Sequence, residues 1–163
     1  MGCRGVFFAL SPAQAERLLA ASSGEEVLEI VQEELEERWD EEWLQETDQA
    51  WDAIHRCLTD GTLSFAPLST LHQCVLGGRQ LYDGDDYIVS FLSPAEVKEV
   101  AAAIQGLDRQ WLRGKYFRID PDDYGLLPDH EDFDYTWEWF QGVQAFYQKV
   151  AAGDRPVIFT ADQ

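Results

Sequence analysis

The chain has 163 residues, of which 45% are hydrophobic and 13% aromatic, a composition typical of a folded protein rather than a disordered one. Its 31 acidic and 12 basic residues give a formal net charge of −19. This charge argues against a nucleic-acid-binding or anionic-membrane surface, because phosphate binding needs clustered Lys and Arg. It is compatible with a basic protein partner, with cation binding, or with solubility alone.

The length suits one folded unit, and no Gly/Ser-rich linker divides the chain, so a single domain over residues 1–163 is expected. Cys3, Cys57 and Cys74 lack paired spacing, which predicts no disulfide framework and favours a reducing compartment. There is no secretory pattern, and no apolar run approaches the roughly 18 residues of a membrane span. We therefore expect a cytoplasmic protein that does not bind a membrane. The oligomeric state is left open.

The predicted elements begin with an apolar strand over residues 3–10, followed by a helix that Ser11-Pro12 caps and opens. Ser23 and Glu26 have capping-box spacing and start a second helix, whose apolar residues repeat at helical period. The acidic residues of that second helix are expected to face solvent.

A central helix is predicted over residues 47–58, with either of its first two residues as the N-terminal cap. Trp51, Asp52 and His55 are spaced three and four residues apart and therefore share a face of this helix. We expect Trp51 to be buried and His55 to border a groove.

The second half of the chain is predicted to mix short helices and strands. The expected elements are a short helix over 68–76, a strand over 87–92, helices over 93–104 and 108–114, a capped helix start at 120–121, an acidic loop over 128–134, a long amphipathic helix over 133–150 and a strand over 156–160. Strands and helices alternate only partly, so the predicted fold class is α+β. We expect a small mixed sheet, a single layer of strands with helices around it.

One junction occurs twice. The segment Ala9-Leu10-Ser11-Pro12-Ala13 matches Phe91-Leu92-Ser93-Pro94-Ala95 in four positions of five, each time between a predicted strand and a predicted helix. Duplication of a βα unit and a shared type of junction explain the match equally well.

Asp52 and His55 are the candidate catalytic pair, because a carboxylate one helical turn from an imidazole can orient it as a general base. No Gly-x-Ser-x-Gly elbow supplies a nucleophile, and Cys57 lies on a different helix face. Such an enzyme would catalyse hydrolysis or proton transfer on a small molecule, with His72 or Tyr82 brought near by folding. A helix-surface ion pair or a packed histidine explains the same spacing.

Two patterns suggest metal binding. His-x-Cys occurs at residues 55–57 and 72–74, without the close-spaced ligand patterns of zinc sites. Residues 120–131 match four positions of a calcium-binding loop, but Tyr124 stands where Asp or Asn belongs. We predict no metal and no cofactor, and leave calcium binding by residues 120–131 open.

The acidic residues are concentrated, with twelve in residues 25–48 and eight in residues 120–138. A negative surface of this kind attracts a basic partner, and interleaved tryptophans offer anchors for it. The candidate binding residues are Asp48, Trp51, His72, Trp39, Trp43 and Trp139. We therefore predict a non-catalytic binding module, of inhibitor or immunity type, for a basic protein, with the enzyme as the alternative. Solvated acidic faces around core indoles would produce the same sequence pattern.

The pattern Asp48-x-x-Trp51-Asp52-x-x-His55 resembles one in the YfbM-like bacterial proteins, a family of unknown function. Softer matches are Met1-Gly2 with the apolar run into Leu10-Ser11, Pro67-Leu68, Leu76-Gly77-Gly78, residues 89–97, the Phe140…Phe146-Tyr147 helix and the closing strand. The resemblance covers most of the chain and implies a compact cytosolic α+β domain without an established activity. Members of the family commonly carry an apolar residue where Cys3 stands, which argues against a role for that thiol.

Overall fold

A computed structural model describes residues 3–163. Met1-Gly2, the first part of the family resemblance, lies outside the described residues. The strands are β1 (Gly5–Ala9), β2 (Leu44–Asp48), β3 (Arg79–Gln80), β4 (Tyr87–Leu92) and β5 (Val157–Asp162). The helices are α1 (Pro12–Leu19), α2 (Gly24–Ile30), α3 (Trp51–Leu58), α4 (Pro94–Gln105), α5 (Arg109–Tyr116), α6 (Pro121–Tyr124) and α7 (His130–Ala152). A π-helical turn covers Val31–Glu36, and 3₁₀ turns cover Glu41–Trp43 and Leu71–Gln73.

The strands form one sheet in the order β2-β1-β5-β4-β3. This arrangement confirms the α+β class and the single layer of strands. Every pairing is antiparallel, so the predicted mixed sheet is wrong. The reason is that β5, from the end of the chain, lies between β1 and β4. Those two strands run parallel to each other but are not neighbours.

Helices cover both faces of the sheet. Alternate residues of β1 point to opposite sides. Phe7 and Ala9 join the larger core, which α3, α4, α5 and α7 cover. Val6, Phe8 and Leu10 join a smaller core beneath α1, α2 and the π-helical turn. Among the helices of residues 3–163, none combines the length and apolar character that crossing a membrane requires.

The repeated Leu-Ser-Pro-Ala junction starts α1 and α4, and in both places a serine and a side chain three residues on form a capping box. The two copies are not in register, because Val157 of β5 lies opposite both Ala9 and Leu92. An offset of one residue turns a side chain to the other face of a sheet. Leu10 therefore packs under α1 while Leu92 packs under α4, so one sequence motif sends two helices to opposite faces.

The central helix begins later than predicted. Thr47 and Asp48 end β2 and do not cap a helix, whereas α3 starts at Trp51 without a side-chain cap. Thr47 donates its hydroxyl hydrogen to the carbonyl oxygen of Gly5 at 2.8 Å, which ties the end of β2 to β1. The strand β2 is a polar segment at the edge of the sheet, and it lacks the apolar alternation that marks a half-buried strand.

Two further elements differ from expectation. The predicted acidic loop over 128–134 is largely the first turn of α7, where Asp129 accepts a hydrogen bond from the Asp132 backbone N–H at 2.7 Å. Acidic residues favour a helix N-terminus because they face the positive end of the helix dipole. The predicted helix over 68–76 is reduced to the 3₁₀ turn Leu71–Gln73.

Candidate functional site

Trp51 is buried, as predicted, with 4% of its surface exposed. Its ring lies 5.6 Å from that of Phe159, and its indole N–H donates to the carbonyl oxygen of Cys3 at 2.7 Å. Gly5 of β1 leaves room for the indole, since a Cβ there would come within 2.5 Å of Trp51 Cδ1. These contacts fix the start of α3 against the sheet.

His55 has no exposed surface, so the prediction that it borders a groove is wrong. Its Nε2 lies 2.7 Å from the carbonyl oxygen of Ser64. A carbonyl oxygen only accepts, so Nε2 carries the proton and Nδ1 is unprotonated. Nδ1 has no hydrogen-bond partner among the described residues, and Asp52 therefore does not orient the ring. Burial lowers the pKa of His55 to about 4, which leaves the ring neutral at pH 7.

Asp52 is bound by Arg56, a residue that the sequence reasoning did not single out. The Arg56 Nε donates to the Asp52 carboxylate at 2.6 Å, and Nη1 donates to the Gly61 carbonyl at 3.1 Å and to the Asp123 carboxylate. The guanidinium also lies 5.5 Å from the ring centre of Tyr124 and is only 4% exposed. Burial raises the pKa of Asp52, although Arg56 opposes that shift. The spacing of four residues between Asp52 and Arg56 is the sequence feature from which this ion pair could have been predicted.

A cleft of about 310 Å³ opens beside Trp51 and Asp52, between α3, α6 and α7, and is termed the α3–α7 cleft. The side chains that matter most to its chemistry are Trp51, Tyr124, Tyr135, Asp52, Asp132 and Leu126. The cleft therefore combines three aromatic rings with two carboxylates.

The Asp132 carboxylate accepts hydrogen bonds from two phenols, those of Tyr116 at 2.5 Å and Tyr124 at 2.8 Å. Burial, and next the adjacent carboxylate, raise the pKa of both phenols, so both remain protonated donors. Within residues 3–163, Asp132 forms no ion pair with a Lys, Arg or His side chain. A half-buried carboxylate thus lines the cleft without an ion-pair partner among these residues.

Tyr135 joins the two acidic segments at this cleft. Its hydroxyl donates to the Asp48 carboxylate at 2.8 Å and accepts from the Gln49 backbone N–H at 3.2 Å. Burial, followed by the bond to Asp48, raises the pKa of Tyr135 to about 12. Asp48 ends the first acidic segment, whereas Tyr135 and Asp132 belong to the second, so the two segments meet here.

The other predicted binding residues are dispersed. Trp139 lies next to the cleft, its ring 6.4 Å from that of Tyr135. His72 Nδ1 is hydrogen bonded to the Ser69 hydroxyl at 2.7 Å, and its Nε2 is buried without a partner among the described residues. His72 does not line the α3–α7 cleft.

Trp39 and Trp43 lie away from the α3–α7 cleft, and both contact side chains of their own chain. Trp39 packs edge-on against Phe8 at 6.2 Å. Trp43 lies beneath the Lys149 ammonium and the Arg155 guanidinium, at 4.7 and 3.7 Å from its ring centre. The structure therefore places Trp51 in the lining of the cleft, with Asp48 and Trp139 beside it against Tyr135, and leaves these two indoles elsewhere.

Cys57 and Cys74 have unreactive thiols. Cys57 and Cys74 are buried, and burial raises the pKa of both thiols to about 12. A thiol with so high a pKa is not a nucleophile at neutral pH, because the thiolate is the reactive form.

Residues 120–131, which partly match a calcium-binding loop in sequence, contain the N-terminal ends of α6 and α7. Asp120 caps α6 by accepting from the Asp122 backbone N–H at 3.0 Å, and Glu131 lies in the first turn of α7. Within residues 3–163, no three His, Cys, Asp or Glu side chains are grouped as a metal site would require.

Comparisons with known proteins identify a family and a fold. A family model described as a domain of unknown function (DUF1877) matches residues 1–160. The comparison with curated proteins found no match. Among solved structures, the crystal structure of a protein of unknown function, YfbM from Escherichia coli, is similar with a TM-score of 0.70. The match covers 97% of this chain and 99% of that chain at 18% sequence identity. At that identity, the likeness establishes the fold alone.

Proposed function

Since the chain belongs to the DUF1877 family of YfbM-like proteins, a family described only as a domain of unknown function, we propose its role from the site itself: a non-catalytic binding module for a basic protein. The observation that carries this proposal is the α3–α7 cleft, where the Asp132 carboxylate lines an aromatic cavity and has no ion-pair partner among the residues that the structure describes. An inhibitor or immunity-type protein would use such a surface to occupy a basic site on its partner.

The overall charge supports the same proposal. A net charge of −19 attracts a basic partner over about one Debye length, roughly 8 Å at physiological salt. Complementary charges of this kind raise association rates and select among partners. The two acidic segments meet beside the cleft, where the Tyr135 hydroxyl donates to the Asp48 carboxylate.

The alternative is a small-molecule hydrolase or proton-transfer enzyme that uses Asp52 and His55. What weighs against it is the burial of the His55 ring and its bond to Ser64 in place of Asp52. Asp52 is already engaged by Arg56, and the buried thiols supply no nucleophile. A general base has to reach the proton that it removes, and an enclosed ring cannot.

The proposal places the protein in the cytoplasm. The three cysteines are free thiols, which suits a reducing compartment.

Affinity capture followed by measured binding tests the proposal. The immobilised protein is incubated with a lysate of the source organism at low salt, and the retained proteins are identified by mass spectrometry. We expect a basic protein to be retained, and the purified pair to bind about tenfold or more weakly when salt rises from about 50 to 200 mM. Retained proteins no more basic than the lysate as a whole, or a purified pair insensitive to salt, would contradict the proposal.

A further inference from the structure

We infer that the α3–α7 cleft receives one arginine side chain of the partner, and that Leu126 and Leu127 form the apolar rim of the same contact. This inference rests on the proposed function and specifies the chemistry that the cleft recognises. It depends on four features of the cleft: its charge, its rings, its size and its rim.

Asp132, one of the two carboxylates of the cleft, has no ion-pair partner among residues 3–163. Asp52 is ion-paired with Arg56, whereas within the described part of the chain the Asp132 carboxylate accepts hydrogen bonds from the phenols of Tyr116 and Tyr124 alone. Arg56 cannot supply the missing cation, because it is bound to Asp52 and Asp123. A carboxylate favours a guanidinium partner, whose planar donors can bind both of its oxygens.

The rings favour a cation that can also stack. Trp51, Tyr124 and Tyr135 line the cleft. Guanidinium groups bind over aromatic faces more often than ammonium groups do. The chain already uses this contact, since Arg56 lies 5.5 Å from the ring centre of Tyr124. We therefore assign the cleft to arginine in preference to lysine.

The size of the cleft suits a side chain. Its volume of about 310 Å³ is at the lower end of the range of roughly 300–1,000 Å³ for ligand pockets. A single extended side chain fits such a space better than a larger organic ligand does.

The rim is an exposed apolar pair in an acidic segment. Leu126, which lines the cleft, is 56% exposed, and its neighbour Leu127 is 76% exposed. Neither leucine is buried in a core cluster. Apolar side chains around a charged pocket exclude water from it and strengthen the interaction inside. The rim therefore favours an arginine flanked by apolar residues.

The first experiment titrates the ¹⁵N-labelled protein with N-acetyl-arginine amide and follows the backbone and indole N–H signals by NMR. We expect shifts at Trp51, Asp52, Asp132 and Tyr135 that weaken as salt is added. N-acetyl-citrulline amide has the same shape without the charge and should cause no comparable shifts. Because both titrations use the unaltered protein, their comparison decides the inference even if a substitution perturbs folding.

Substitutions then locate the interaction. Asp132→Asn should weaken binding of the arginine amide about tenfold, since a charge-assisted bond is lost. Glu33→Gln removes the same charge from an exposed site on the π-helical turn, over the other face of the sheet, and should leave binding unchanged. N-acetyl-Leu-Arg-Leu amide should bind more tightly than the arginine amide. Leu127→Ser should remove that gain, whereas Leu19→Ser on α1 should keep it.

Equal shifts with the arginine and citrulline amides, or equal binding by a folded Asp132→Asn protein and its Glu33→Gln control, would overturn the inference. The proposed function would still stand in that case if a purified basic partner bound with salt-dependent affinity. Arginine amide binding at the cleft without any basic protein partner would instead overturn the proposed function and leave a site for a small guanidinium compound.

Discussion

The motif Asp48-x-x-Trp51-Asp52-x-x-His55 contains residues with separate tasks. Trp51 fixes α3 against the sheet, Asp48 accepts a hydrogen bond from Tyr135, and Asp52 pairs with Arg56. His55 joins α3 to the following loop through the Ser64 carbonyl. The four residues thus have four different partners, because Asp48 ends β2 while Trp51, Asp52 and His55 point in different directions from α3.

Replacing His55 with Ala should destabilise the protein. The substitution removes the partner of the Ser64 carbonyl, and losing a buried hydrogen bond costs about 1–3 kcal/mol. At this size, each kcal/mol lowers the melting temperature by about 2–4 °C. Thermal unfolding followed by circular dichroism measures the change. A variant at least as stable as the parent would contradict the structural role and favour the enzyme alternative.

His55 should also make stability depend on pH. Burial lowers its pKa from 6.5 to about 4, with His72 and Arg56 acting in the same direction and the Ser64 carbonyl and Asp60 opposing them. The unfolded chain therefore binds the proton more tightly. The stability that neutral His55 contributes is fully present above pH 6.5 and is lost as the pH falls towards 4, by about 3 kcal/mol.

Urea denaturation between pH 7.5 and 4 tests this dependence. The free energy of unfolding should fall less steeply for His55→Gln, which cannot titrate, than for the parent protein. The carboxylates are common to both proteins, so their contribution cancels in the comparison. Parallel pH profiles would contradict the predicted shift.

Arg56 is expected to be the most sensitive charged residue. Arg56→Met leaves the partly buried Asp52 without its cation, and breaking such a pair costs about 3–5 kcal/mol. Arg79→Met is the matched control, because Arg79 is exposed and forms no ion pair within residues 3–163. The double variant Asp52→Asn/Arg56→Met should recover part of the loss. Similar urea midpoints for the two arginine variants would contradict the expectation.

At the scale of elements, helix starts and strand pairing follow from different kinds of information. α1 and α4 begin at Ser-Pro with capping boxes, which are contacts within four residues of sequence. The place of β5 between β1 and β4 depends on residues about 70 to 150 positions away, and no local pattern encodes it. Close packing at β1 adds a further requirement, since Gly5 has to accept the edge of Trp51.

Two glycine substitutions test this packing. Gly5→Ala places a methyl group 2.5 Å from Trp51 Cδ1 and 2.7 Å from Phe159 Cζ. Overpacking of this kind should cost about 1–3 kcal/mol. Gly114 lies inside α5, and a Cβ there meets nothing within 4 Å. Gly114→Ala should therefore stabilise the protein by about 0.5–1 kcal/mol through helix propensity. Thermal shifts of the same sign for both variants would contradict the assigned packing.

At the scale of the whole molecule, negative charge opposes the compact state. The chain carries a net charge of −19, and its pairs Arg4–Glu46, Lys98–Asp154 and Arg109–Asp134 are largely exposed. Exposed pairs contribute little to stability, about 0–1 kcal/mol each. Repulsion among the remaining carboxylates should therefore dominate the response to salt.

Salt should accordingly stabilise the protein. Raising the ionic strength from about 0.01 to 0.15 M shortens the Debye length from roughly 30 to 8 Å and screens this repulsion. We expect the melting temperature to rise by several degrees, equally in sodium chloride and potassium chloride. A melting temperature that falls with salt would mean that ion pairs outweigh repulsion.

The sequence by itself determined the features that depend on neighbouring residues. Pro12 and Pro94 predicted where α1 and α4 begin, and the apolar run over 87–92 predicted β4. The period of the apolar residues predicted α7, the helical spacing around Trp51 predicted its burial, and the partial alternation of strands and helices predicted the α+β class. These signals are local because capping, helical period and strand propensity all act over a few residues.

The tertiary structure alone decided the direction of the strands and the surroundings of the candidate site. On the helix α3, Asp52 has two possible partners, His55 and Arg56. In the structure it binds Arg56, which also pairs with Asp123 from another segment. Asp48 and Tyr135, which are 87 positions apart in sequence, are hydrogen bonded beside the cleft. Burial and hydrogen bonding set the charge state of a side chain, and both depend on segments that folding brings together.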